Sequence, residues 1–526
     1  SLLATLSLLD QEPFSFFSKA GQPVNLGEGR AELQATLIMP LKPKIPFEEV
    51  SFTVAGRILD FTSPALVPGR ILKADEVTVA VTTDGLKLSG EGMLGSMPVD
   101  LSYLQGFGAD QNGRARVNGT VMLSDAVLRE FGVNLPKGAI TGEGPAAIDI
   151  ALVKDLPPQL TLTSTLVGLG LRLDGLGWSK AAGTKGALDL ETRLTRAPIV
   201  ERLTLTAPGL TAEGRITTTE DGGLDQAEFS RVVVGDWLDA PVTLIGRDGG
   251  SGLDIRVTGG TLDMRRMPDG GAGDGGDGSP MQVTLDRLRL SEGISLTGFR
   301  GDFDYAGGFN GSFTAKVNGE AAIAGAVGPS DNGSAVRITS DNAGAVMAAA
   351  GIFDKGRGGS LDMTMVPRGT DGEYRGKATF TRIRIQGAPA LAELLSAVSI
   401  VGLLEQMNGE GLAFNNGEVD FILTPRAVEI SKGSAVGASL GISFAGLYMM
   451  GSGEIDLGGV ISPIYLVNGV GQIFTRRGEG LFGFNYRVTG TSEDPNVSVN
   501  PLSVLTPGMF RELFRQAPPN LKDVQE

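Results

Sequence analysis

The sequence has no cysteine and no histidine. The first absence removes disulfide scaffolds, thiolate metal sites and thiol nucleophiles together. The second removes every Ser-His-Asp triad, every His-ligated metal site and the imidazole general base. Most hydrolase mechanisms fall with them, and the residue inventory points to no catalytic residue, no metal and no cofactor. Basic clusters are also scarce. Against 60 Asp and Glu stand 45 Lys and Arg, for a net charge of −15, and only pairs such as Arg265-Arg266 and Arg476-Arg477 sit together. That leaves no footprint for nucleic acid. Long apolar runs are missing too: even 390–407 holds Glu393, Ser396, Ser399 and Glu405, short of the roughly 18–20 apolar residues a membrane span needs. No basic n-region precedes Leu2-Leu3-Ala4-Thr5-Leu6, and the chain opens at Ser1, so a fragment is expected, with any membrane anchor outside these residues.

What is abundant is glycine, 78 of 526 residues, about double the usual share. Between the glycines run short alternations of Val, Leu, Ile and Thr. Val77-Thr78-Val79-Ala80-Val81 reads as a strand, Asp84-Gly85 as a hairpin signal and Leu86-Lys87-Leu88-Ser89-Gly90 as the return. Hairpin-type pairs recur at Asn118-Gly119, Asp174-Gly175, Asp221-Gly222, Asn310-Gly311, Asn318-Gly319, Asp371-Gly372, Asn416-Gly417 and Asn468-Gly469. The expected fold is all-β dominant: a long curved antiparallel sheet, a repeating β-groove, with a few short amphipathic helices. In 160–173 the apolar parity changes from even to odd positions, for which a bulge at Val167-Gly168 is expected.

Four helices are predicted. Ser124 caps one that stops at Gly132, and Asp341 or Asn342 opens another ending at Gly351. A third covers 389–407, with Pro389 in its first turn, apolar Leu391, Leu394, Leu395, Val398, Val401 and Leu404 on one face, and Asn408-Gly409 as the stop. It either caps a sheet as a core helix or plugs an apolar groove. Thr506-Pro507 opens the last, 506–515. Residues 267–280, mostly Gly and Asp, form an expected protease-sensitive linker between a front region, 1–266, and a back region, 281–526.

Three motif matches fail on context. Gly90-Glu91-Gly92-Met93-Leu94-Gly95 fits a dinucleotide fingerprint, but Pro98 and an alternating run follow where a helix is required. Gly437-Ala438-Ser439-Leu440-Gly441 fits a nucleophile elbow without a histidine to activate Ser439. The acidic glycine loop misses the calcium-binding nonapeptide spacing and does not repeat in register.

One feature recurs throughout: strands with one apolar face, as in Ile148, Ile150 and Leu152, or Val419, Phe421 and Leu423. Candidate positions for an apolar lining are Val79, Leu88, Ile150, Leu162, Leu205, Ile255, Leu290, Ile385, Phe421 and Leu423. Such stripes either meet as closed sandwich cores or stay open to a hydrocarbon ligand, and periodicity does not separate the two.

The run from the Ala388 helix through Gly409-Glu410-Gly411-Leu412-Ala413-Phe414, Gly437–Gly441, Glu454-Ile455-Asp456-Leu457-Gly458-Gly459-Val460, Tyr486–Thr491, Asp494–Ser503 and Pro507–Arg511 resembles the C-terminal region of the AsmA-like superfamily, in particular its YhdP branch. The resemblance is specific over about 281–515 and one of repeat style over 30–266. Gln472-Ile473-Phe474-Thr475-Arg476-Arg477 departs from it, being shorter and more basic than the family's apolar connector. The resemblance implies a Gram-negative envelope protein without enzymatic activity. It would be held in the inner membrane by a segment outside this sequence, with its β-groove crossing the periplasm and moving phospholipid toward the outer membrane. Its partners would be phospholipid, both membranes and other envelope proteins. The alternative is a structural or assembly factor of the outer membrane, with closed sandwiches and edge strands that bind partner strands by β-addition.

Overall fold

The computed structural model describes residues 1–9, 11, 25–40, 42, 50–107, 114–133, 135–247, 252–268, 279–369, 372–398, 401–463, 483–491, 494–500, 502–503 and 519. The protein is all-β dominant, with 64% of residues in strands and 9% helical, so period-two patterning outweighs the helical one. It divides into two compact units, Ser1–Ile255 with Arg266–Asp274, and Arg256–Arg265 with Gly275–Glu526. Of the expected linker, 269–278 lies outside the described residues.

In the first unit the helix Leu2–Leu9 precedes a meander. Strands Glu28–Ile38, Ser51–Val67, Arg70–Thr82, Gly85–Leu94, Met97–Gly106, Ala115–Ser124, Ile140–Leu152 and Gln159–Ser164 each pair antiparallel with the next. The chain then leaves the sheet, so the parity change is a departure and not the bulge expected at Val167-Gly168. Leu166 (φ 58°) and Gly168 (φ 93°) turn the backbone through the left-handed region. Leu169–Leu173 then pairs with the start of Ile140–Leu152 and with Trp178–Lys180 in a small second sheet. Lys180 holds this excursion closed: its buried Nζ donates to the carbonyls of Leu166 (2.7 Å) and Leu169 (2.8 Å). Ala187–Arg193 returns to pair with Gln159–Ser164, and Ile199–Ala207, Leu210–Thr218, Leu224–Val234 and Leu238–Gly246 continue the meander. Register shifts at Val200/Leu203 and Phe229/Val232 mark irregularities of the kind that bend strands and curve a sheet.

The second unit is built the same way. Thirteen strands from Met281–Arg289 to Pro495–Asn500 follow one another antiparallel, interrupted by the helix Ala343–Ala349 with the short strand Gly356–Arg357, and by two further helices. Among the described residues Thr261–Asp263 runs parallel beside Met281–Arg289, against the antiparallel expectation. Asn342, not Asp341, caps the first helix, accepting from the Ala345 N–H at 3.1 Å. The single helix expected over 389–407 is two, Pro389–Ala397 and Val401–Asn408, and Val398 is the C-cap of the first at φ −100°, ψ 10°. Val398 opens a Val-Ser-Ile run of poor helix formers, which weakens the helix at that point. The terminal helix expected at 506–515 lies outside the described residues.

Glycine does two jobs. Asn318-Gly319 is the expected primed turn, with φ 47° and 84°. Asn118-Gly119 and Asn416-Gly417 are not turns: they sit inside the strands Ala115–Ser124 and Leu412–Leu423. A Cβ on Gly119 would stand 2.0 Å from the Asp100 carbonyl oxygen, and one on Gly417 1.8 Å from a Phe380 ring carbon. Likewise Phe421 lies on its register partner Gly376 and Phe313 on Gly325. Aromatic rings thus cover the backbone that glycine leaves bare. Asn468-Gly469 lies outside the described residues.

Candidate functional site

In the first unit the register gathers the apolar stripes onto one face. Val79, Leu88, Tyr103, Val117, Ile150 and Leu160 form one cross-strand row. Ile148, Leu162, Leu190 and Leu203 form the next, and Leu205, paired with Leu188 and Ala212, belongs to the row beyond. Side chains two apart on a strand share a face, so the register puts Val79, Leu88, Ile150, Leu162 and Leu205 on one face of the sheet.

Burial divides this face along the strand direction. Toward the hairpin ends at 94–97, 124–140 and 164–187 it is closed: Leu94, Met97, Val99, Val121, Leu123, Ala146, Leu166 and Leu169 pack under Val127 of the helix Asp125–Glu130. Glu130 accepts from the Ser96 N–H at 3.0 Å, and the Arg70 guanidinium lies 5.2 Å from the Phe131 ring centre, so the helix is tied to the neighbouring turns. These bonds to Ser96, and then Arg70, hold the Glu130 carboxyl below the usual carboxylate range. Toward the opposite strand ends Leu88, Tyr103, Val117, Ile150, Leu160, Leu162, Leu190 and Leu203 are only half-buried. Val79 is covered, because Leu2 of the first helix packs against it with Ile58 and Phe61. Periodicity does not mark that helix: in Leu2-Leu3-Ala4-Thr5-Leu6-Ser7-Leu8-Leu9 the apolar residues fall all round the helix and trace no single face.

The other face of the same strands is a ladder of ion pairs. Arg57 reaches Glu32 (3.1 Å) and Glu76 (3.3 Å), Arg116 reaches Asp149 (2.7 Å), Arg215 reaches Glu228 (2.6 Å) and Arg231 grips Asp239 with two bonds of 3.0 and 2.8 Å. Arg202 pairs with Glu191. Exposed pairs of this kind add little to stability, so their effect is to keep this face in water and leave only its reverse apolar. On the charged face, at the open strand ends, lies a depression of 990 Å³ whose lining includes Ala80, Lys87, Leu104, Arg114, Arg116 and Ala151.

The second unit's apolar face is closed over much of its area. Leu394 (2% exposed), Leu395 (0%) and Met407 (0%) of the two helices pack with Leu412, Phe414 and Ile461. Leu391 is buried, Val398 and Leu404 are partly so, and the Val401 side chain lies outside the described residues. Ile385 pairs with Leu412, Phe421 is buried on Gly376, and Leu423 pairs with Tyr374 at half burial. Ile255 is half-buried in Leu253–Thr258. Leu290 is no lining residue: the strand ends at Arg289, and Leu290 is exposed where its N–H donates to Ile294 O at 3.0 Å in the turn.

Among the described residues no cluster of three or more acidic side chains could hold a metal ion, and no helix is long and apolar enough to cross a membrane. The connector 472–477 lies outside the described residues. No protein-family model, curated protein or solved structure matches the chain.

Proposed function

We propose that the protein is a non-enzymatic lipid-binding and transport protein of a Gram-negative envelope, moving phospholipid along its apolar face between inner and outer membrane. It would be periplasmic and anchored in the inner membrane by a segment outside this sequence. The observation that supports this reading is the half-buried apolar band of the first unit, from Leu88 to Leu203, backed by a reverse face that carries a ladder of ion pairs. Acyl chains laid on such a band leave water at about 0.8 kcal/mol per CH₂. Headgroups stay wet at the open strand ends. Lipid extraction and mass spectrometry of the protein purified from a Gram-negative envelope should yield bound phospholipid; protein that carries none after gentle purification rules the reading out.

The closed core beneath Pro389–Ala397 and Val401–Asn408 favours a second reading for the other unit, an assembly factor of the outer membrane that works through closed sheets and edge strands. Cross-linking to outer-membrane proteins without bound lipid is its expected result.

A further inference from the structure

The depression on the charged face breaks the ion-pair ladder. One cross-strand row runs Ala80, Lys87, Leu104, Arg116, Ala151 and Gln159, and every member lines the cavity. Small alanines at Ala80 and Ala151 leave the space, and Leu104, 37% exposed, gives it an apolar floor. Lys87 and Arg116 are the register neighbours of Leu104 on either side. With strands about 4.8 Å apart, their stems rise from backbone roughly 10 Å apart, within joint reach of one small anion. Arg114, two residues from Arg116, lines the same space.

The charges do not cancel. Arg116 is held by Asp149 and Glu191 by Arg202, whereas Lys87 and Arg114 have no carboxylate partner among the described residues. Asp84 is the one remaining acid among the described residues of the lining. Lys87 and Arg114 against Asp84 leave one net positive charge over an apolar floor, in a chain of net charge −15; a local positive field here selects for anions that the rest of the surface repels.

We infer that this depression is a phosphate site, in which Lys87 and Arg114 take the phosphate of a phospholipid headgroup while Leu104 packs against the glycerol end. The site lies at the strand ends where the apolar band on the reverse face is open, so a headgroup bound here can leave its acyl chains on that band. The inference rests on the lipid reading above and adds selectivity to it: an anionic phospholipid is preferred to a lipid with the same chains and no phosphate. Arginine and lysine differ in their use, the guanidinium gripping two phosphate oxygens and the ammonium acting as a point charge.

The test compares full-length protein with the K87A/R114A double variant, both side chains being at the surface so that folding is retained. Binding of dioleoylphosphatidylglycerol and of dioleoylglycerol is measured in the same detergent. The expected result is a loss of about tenfold in phosphatidylglycerol affinity in the variant, the equivalent of one charge-assisted hydrogen bond, with dioleoylglycerol binding unchanged. Equal phosphatidylglycerol affinity in the two proteins overturns the site while leaving the lipid reading intact. Protein that binds neither lipid overturns both. A third arm uses inorganic phosphate alone: millimolar phosphate that binds the wild type, not the variant, and displaces no lipid overturns the headgroup assignment in favour of free phosphate.

Discussion

At the scale of single residues, the many glycines separate into those the backbone needs and those it merely accommodates. Gly119 faces the Asp100 carbonyl across the strand, at 2.0 Å from any added Cβ, whereas Gly132, with φ 83°, has open space around it. Gly119→Ala is therefore expected to cost upward of about 3 kcal/mol, because backbone must move, and Gly132→Ala about 1 kcal/mol, for the left-handed conformation alone. Urea midpoints of the two variants should fall in that order; a Gly132 variant as damaged as the Gly119 variant would falsify the assignment. The same positions show why the Asn-Gly signal misled. Sequence supplies the residue pair but not the Phe380 ring or the Asp100 carbonyl that lies across from it, so Asn416-Gly417 and Asn118-Gly119 read as turns when they are strand interiors. Asp263 gives a pH prediction at this scale. Arg265 donates two hydrogen bonds of 2.9 and 2.8 Å to it, and these hold its carboxyl at about 2, below the ordinary 3.8. A depressed carboxylate stabilises the fold above its unfolded pKa, and that stabilisation is lost as pH falls through the folded one. Asp263→Asn should thus lower stability by on the order of 1 kcal/mol above about pH 4, with the difference from wild type vanishing near pH 2. An undiminished difference at pH 2 would show that Asp263 acts through shape and not charge.

At the scale of elements, legibility followed sequence range. The helix Asp125–Glu130 was readable because its cap is local: Ser124 accepts from the Val127 N–H at 3.3 Å, and Gly132 follows the last turn with positive φ. Asn342 is the same device, and Asn342→Ala should cost the helix Ala343–Ala349 about 1 kcal/mol by thermal denaturation. An unchanged melting temperature would mean that burial of Ala343 and Val346 alone fixes that helix. The apolar period over 389–407 was readable too, though the break at Val398 was not, since period marks a face and not continuity. The excursion from Leu166 to Lys180 was the least legible. Its decisive contact is a lysine ammonium reaching two carbonyls from residues 11 and 14 positions earlier. A lysine after a tryptophan and a serine carries no local sign that it will be buried.

At the scale of the molecule, the apolar stripes were legible as stripes, but whether they are open or covered depends on elements far away in sequence, and the two units answer differently. In the first, Leu162 is half-buried where the open band meets the closed core that it packs against; in the second, Leu395 is fully buried under sheet strands. The same substitution therefore has opposite consequences. In Leu162→Asp the carboxylate can hydrate at the band's surface, so the fold should survive with a loss of no more than about 1–2 kcal/mol. Hydrocarbon crossing it must desolvate a charge, so bound lipid should fall severalfold. In Leu395→Asp the carboxylate enters a core that water cannot reach, where burial of an unpartnered charge costs several kcal/mol, enough to unfold the unit. Thermal melting beside lipid mass spectrometry on both variants decides the matter. A Leu162 variant that unfolds would show that the first unit's band is a closed core as well, and the assembly-factor reading would then extend to the whole protein. A Leu162 variant that stays folded with its lipid content intact would instead place the acyl chains elsewhere than the band from Leu88 to Leu203.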